Sequence, residues 1–206
     1  MTKLGKGELT QARVIEASLK VFGKKGFFES SISEIAESAG LSQAGVLKHF
    51  PSKVRVFEAV IHHVLTTNHE IVASLTQPNE MGLASLDTYL AGNIEWLRRQ
   101  PHQARMILLL YYQSSFDPVF TEIYAQVLKI SRARLLRYVV EADRIGEIRL
   151  KSEDRETLAE SLQELILGML LNVITAPPRA KSPLAEMREK IEFIVAPLRK
   201  LPKNPR

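Results

Sequence analysis

Apolar residues recur at three- and four-residue spacings along almost the whole chain, and no alternating stretch is long enough for a strand. The pattern therefore predicts an all-α protein of about nine helices. Val14, Ile15, Ala17, Leu19, Val21 and Phe22 supply the buried side of the first, which Thr10 can cap and Gly23 and Gly26 can end. Ahead of it, residues 1–8 read as a loose arm carrying Lys3 and Lys6. Lys24 and Lys25 suit the negative end of that helix. Phe27 or Phe28 is expected to plug a small core against Ile35 and Phe50.

Two short helices follow. Ser31 with Glu34 three residues later has the form of a capping box, and Gly40 offers the left-handed conformation that ends a helix. Leu41 leads into Ser42, a second N-cap, and a helix over Gln43 to His49 that Phe50-Pro51 stops. Ile32, Ile35, Ala39, Leu41 and Val46 can all point inward, and Ala36 is small enough for a close crossing. This is the form of a helix-turn-helix. The second helix keeps Gln43, Ala44, Leu47, Lys48 and His49 for its outer surface, with Gly45 beside them. Such a slim face, with one amide and one or two cations, fits a major groove. An ordinary helical hairpin shares the apolar spacing but not this exposed chemistry. Lys48, Lys53 and His49, with the hydroxyls of Ser31 and Ser42, are expected to hold phosphates, and Gln43 can pair with adenine.

Ser52 can cap a helix running from Lys53 to about Leu75, with Val56, Phe57, Val60, Ile61, Val64, Leu65 and Ile71 at helical period. Its start suits the head and its end a larger body. The chain accordingly divides into a DNA-binding domain over 1–52 and a ligand-binding and dimerisation domain over 53–206, linked by helix 53–75. His62 and His69 share a face of that helix, but only Glu70 is near to complete a metal set, so no cofactor or metal is expected.

After a loop over Thr76 to Gly82, Leu86, Leu90, Ile94 and Leu97 form one stripe and Tyr89, Asn93 and Trp96 a second. Pro101 suits a first helical position, and Met106 to Tyr112 is apolar all round. Asp117-Pro118 opens a long helix ending near Gly146. Ser152 opens the penultimate helix and Ala176-Pro177-Pro178 closes it; its second half, LILGMLLNVI, is again apolar all round. Ser182-Pro183 opens the last, where Leu184, Met187, Ile191, Ile194, Leu198 and Leu201 keep a heptad spacing that Pro197 interrupts.

Two expectations come from this body. Leu165, Met169, Leu184, Met187, Ile191, Ile194 and Leu198 exceed what one small core needs, so they are assigned to a four-helix interface between two copies. Tyr89, Asn93, Trp96, Tyr112, Gln113, Phe120, Tyr124, Met169 and Asn172 are expected to wall a cavity of aromatic rings and a few amides, suited to an apolar effector.

Composition narrows the classes. At 45% hydrophobic and 25% charged, the chain is neither disordered nor membranous, and no uninterrupted apolar run reaches the ~18 residues of a membrane span. The N-terminus has no apolar signal core, which predicts a cytoplasmic protein. The absence of cysteine excludes disulfides and thiolate metal sites. Net charge is +5, and before Arg55 eight cations face five acids, a bias that helps a head approach phosphate.

The first 60 residues resemble the N-terminal domain of TetR-type (tetracycline-repressor-like) transcriptional regulators. The resemblance is carried by ARVIEASLKVFGKKGFFESS, then SISEIAESAGLSQAGVLKHF, then PSK. It implies a dimer on a palindromic operator, with a small-molecule effector in the body and no membrane partner. One departure is Leu47, where the family usually has a Tyr that touches the DNA backbone; Leu47 cannot donate a hydrogen bond, though it can touch a thymine methyl. The leading function is thus a ligand-responsive repressor. The alternative is a DNA-binding protein without an effector, controlled by abundance or a protein partner. An all-α enzyme lacks support, since the chain has no Ser-His-Asp set, phosphate loop or HExxH.

Overall fold

A computed structural model describes residues 5–175 and 181–199, and these described residues wind through nine α-helices joined by short turns. In order these are α1 (Lys6–Lys25), α2 (Ile32–Ala39), α3 (Gln43–His49), α4 (Lys53–Leu75), α5 (Gly82–Arg99), α6 (Pro101–Gln113), α7 (Pro118–Ile145), α8 (Asp154–Thr175) and α9 (Pro183–Val195). A 3-10 turn over Ala196–Leu198 follows α9, where Pro197 denies the helix its next hydrogen bond. No strand occurs among the described residues. The all-α class and the proline-marked starts of α6, α7 and α9 agree with the sequence.

Two boundaries differ. α1 begins at Lys6 rather than after Thr10, because the Glu8 carboxylate accepts the N–H of Gly5 at 2.7 Å while the Thr10 hydroxyl donates to the Lys6 carbonyl inside the helix. A glycine N-cap carries no side-chain signal, so this start was hidden; Lys3 lies outside the described residues. α1 also runs through Gly23 and ends at Gly26. α8 begins two residues past Ser152, which sits in a turn. Ala176-Pro177-Pro178 and Leu201 lie outside the described residues.

The chain forms two compact units, and they do not part at residue 52. The first comprises the residues up to His69 with Gln100–Tyr124, so it holds α1 to α3, most of α4, α6 and the first turns of α7. Its centre is four rings. Phe22, Phe27, Phe57 and Phe120 are buried, with adjoining centroids 4.8 to 5.7 Å apart and mostly edge-to-face geometry. Val14, Ile35, Val46, Val56 and Val60 extend the first unit's core.

The second unit comprises Glu70–Arg99 and the residues from Ala125 onward. Leu86, Leu90, Leu135, Val139, Ala142, Leu158, Leu162, Ile166, Met187, Ile191 and Val195 lie in its core. Gly92 lets α5 cross the end of α4 closely, since a Cβ there would meet Val72 Cα at 2.9 Å. α8 is long and apolar enough to cross a membrane by length and mean hydropathy, yet Leu158, Leu162 and Ile166 bury its inner face in this core.

The heptad spacing on α9 proves to be a core stripe. Met187 and Ile191 are buried among residues of their own unit, and Leu184, Ile194 and Leu198 pack against the same cluster. Met169 is buried and Leu165 half-buried there as well. Met169, Met187 and Ile191 are therefore committed to their own core, while Leu165, Leu184, Ile194 and Leu198 keep part of their surface. Over three turns, a 3-4 repeat does not distinguish a coiled-coil seam from an inward face.

Candidate nucleic-acid interface

The helix-turn-helix is built from local bonds that the sequence announces. The Ser31 hydroxyl accepts the Glu34 N–H at 3.2 Å, while the Glu34 carboxylate accepts the Ser31 N–H at 2.9 Å and its hydroxyl at 3.0 Å. Gly40 ends α2 at φ 63°, a conformation costly for any residue with a Cβ, and Leu41 N–H returns to the Ala36 carbonyl at 2.9 Å. The Ser42 hydroxyl then accepts the Gly45 N–H at 3.0 Å to open α3. Val46 is fully buried, which fixes the roll of α3. Gln43, Ala44, Leu47 and Lys48 are left exposed, with Gly45 and His49 half-buried beside them.

The hold on this motif from outside was not visible in the sequence. Arg13 donates its guanidinium to the Ala39 carbonyl at 2.6 Å, so a cation on α1 closes the C-terminal end of α2. Lys53, the first residue of α4, donates to the carbonyls of Phe27 at 2.8 Å, Phe28 at 3.3 Å and Ser30 at 2.7 Å. Its ammonium also stands 4.5 Å from the centre of the Phe27 ring. Burial holds the Lys53 pKa below the ordinary lysine value.

Two of the expected phosphate contacts change accordingly. An ammonium has three donors, and Lys53 has placed all of them on the loop between α1 and α2, so it positions the head rather than grips a phosphate. Ser31 donates its hydroxyl hydrogen to Glu34 and has none left to offer. Ser42 uses only its acceptor side and keeps that hydrogen. Lys48 and His49 have no acidic partner among the described residues, and Lys48 remains the cation of this face, with the His49 ring beside it. Lys48→Ala is expected to weaken binding to every duplex alike and to lower the salt slope by about 1 per site, read from titrations at several salt concentrations.

Residues 14–60, which hold the buried face of α1, both serine caps, Gly40 and all of α3, match the family model for bacterial regulatory proteins of the tetR family. Over these residues the chain carries the DNA-binding domain of TetR-type transcriptional regulators. Its helix-turn-helix binds DNA. The chain is 23% identical to the HTH-type transcriptional regulator BetI of Escherichia coli (strain SE11), over 90% of this chain and 92% of that one. It is 21% identical to the nucleoid occlusion factor SlmA of Haemophilus influenzae (strain PittGG), over 77% of this chain and 72% of that one. The fold is shared with a TetR-family transcriptional regulator from Cytophaga hutchinsonii, with a TM-score of 0.78, 16% identity, and 97% and 100% of the two chains covered.

The expected effector residues divide between the two units. In the second, Tyr89, Asn93, Trp96 and Met169 are buried, while Asn172 is exposed. Asn93 is not a spare amide. It donates to the Tyr89 carbonyl at 2.8 Å and shares a side-chain hydrogen bond with Tyr89, whose pKa burial pushes up. In the first unit, Phe120 belongs to the four-ring core, Tyr124 lies against the Tyr111 ring at 5.7 Å, and Tyr112 is 58% exposed. Gln113 differs from all of these: it is buried, and its Oε1 has no hydrogen-bond partner. Helical spacing places Gln113 and Tyr112 next to each other but cannot tell which of two neighbours turns inward.

Proposed function

We propose that this TetR-type regulator is a dimeric, cytoplasmic repressor that leaves a palindromic operator when a small, largely apolar effector binds. The observation that carries the effector is the Gln113 carbonyl. A buried acceptor without a partner costs about 1–3 kcal/mol, and a ligand that donates one hydrogen bond removes that cost. α4 is continuous from Lys53 to Leu75, so a shift at its far end reaches the residue that holds the head. Only an effector with different affinities for two conformations can drive such a shift. Gln43 is the candidate base reader, and a two-fold dimer would present it twice, one helical turn apart.

For the dimer, support comes from the outward side of α9 rather than its heptad positions. Phe193 is 83% exposed there, and Leu167, Leu171, Val173 and Ile174 of α8 are only half-buried. Phe193→Glu is expected to give monomers in sedimentation at micromolar concentration without loss of helicity; an unchanged dimer would move the interface elsewhere.

The effector is tested by thermal shift over a panel of neutral aromatic and apolar compounds, followed by operator displacement. Gln113→Leu is expected to keep or raise stability, because it removes the orphan acceptor, while weakening the effector by about tenfold. If compounds bind yet none displaces operator, the effector reading fails. A second reading, regulation by a protein partner, then gains. It is supported by the exposed rings of Tyr112 and Phe116, 5.0 Å apart at the turn after α6, and by the likeness to a nucleoid occlusion factor.

A further inference from the structure

We propose that a cleft bounded by α1, α4 and the start of α6 binds a small oxyanion carrying two or more negative charges. The cleft has a volume of about 590 Å³. It lies wholly within the first unit and shares no residue with the predicted effector set.

Its chemistry is cationic without a counter-charge. Lys20 and Lys24 stand one turn apart on α1, and Arg105 reaches the same cleft from α6. None of the three makes an ion pair or a side-chain hydrogen bond among the described residues. The only acid in the lining is Glu16, which faces His63 of α4 at 3.6 Å. With His63 and His102 neutral the lining carries a net charge of +2. Lys25, Arg55 and Arg188, by contrast, are paired with Glu34, Glu58 and Asp87. The three exposed cations line one hollow without a counter-charge of their own, and a shared anion would supply it.

The backbone adds to this field. The first turn of α6 carries no acidic residue, and its N-cap Gln100 makes no side-chain capping bond, so the positive end of the helix dipole at the cleft is not offset. Shape completes the case. Gly23 lies between Lys20 and Lys24 in the α1 stripe, and a Cβ there would meet only the tip of Met106 at 3.9 Å. The missing side chain leaves room between the cations. The volume suits a multi-oxygen metabolite better than a halide, which could not span three separated cations at once. An anion held here ties α1, whose Arg13 caps α2, to α4 and α6.

The probes are pyrophosphate and citrate, each against sodium chloride of equal ionic strength, using the full chain. At 5 mM, at least one is expected to raise the melting temperature by about 5 °C over the salt control. Response to pyrophosphate alone assigns a phosphorylated ligand, to citrate alone a polycarboxylate, and to both a general oxyanion site. By calorimetry, Lys20→Gln with Arg105→Gln should weaken binding by about tenfold or more. Gly23→Gln, which keeps the cations and plugs the hollow, should do the same. Lys151→Gln, an exposed lysine in the turn before α8, should leave it unchanged. A shift no larger than that of sodium chloride, or binding that survives both cleft variants, overturns the proposal.

Discussion

Lys53→Met is expected to cost about 2–3 kcal/mol of stability and at least tenfold in operator affinity, without changing the salt dependence of binding. Methionine keeps the length and packing of the stem but removes the ammonium. The carbonyls of Phe27, Phe28 and Ser30 then lose their shared donor, and two of those three bonds are partly shielded from water. The loop they belong to joins α1 to α2, so the helix-turn-helix loses its anchor to α4. Arginine should not rescue fully, because a planar fork does not reproduce three donors converging from one nitrogen. Denaturant midpoints and duplex titrations across salt decide the matter. A slope reduced by about 1 with normal stability would return Lys53 to the phosphate backbone, where the sequence alone had put it.

Phe120→Ala should be more damaging still, at about 3–5 kcal/mol, in a range where whole domains hold only about 5–15. The ring is fully buried between Phe27 at 4.8 Å and Phe57 at 5.2 Å, so its loss opens a cavity in the centre of the first unit. Operator binding is expected to fall with stability, since Phe27 also underlies the Lys53 ammonium. Phe120→Leu, which keeps most of the volume, should cost less than half as much. The check is the shift of the urea midpoint at constant slope. A stable Phe120→Ala protein with altered response to small molecules alone would make the ring a pocket wall after all.

What the sequence determined by itself is what short-range chemistry controls. The capping box of Ser31 and Glu34, the left-handed Gly40, the Ser42 cap and the proline starts of α6, α7 and α9 each involve groups within five residues of one another. Those bonds form the same way wherever the segment is placed, so a one-dimensional pattern suffices. The buried Val46 and the exposed Gln43, Ala44, Leu47 and Lys48 follow from them by helical period.

Tertiary structure decided everything whose partner is distant. Lys53 finds carbonyls 23 to 26 residues earlier in the chain, and Arg13 finds one 26 residues later, at spacings that no periodicity encodes. A cation that serves buried carbonyls and one that serves a phosphate are spelled alike. On α9 the 3-4 repeat was legible, but its direction depended on α5 and α8 filling the space against Met187 and Ile191. Along α6, adjacent residues differ by about 100° in direction, and only packing decided that Gln113 turns inward while Tyr112 faces water. The cleft of Lys20, Lys24 and Arg105 was invisible for the same reason, because its charges come from two helices some 80 residues apart in sequence and meet only through the packing of α1 on α6.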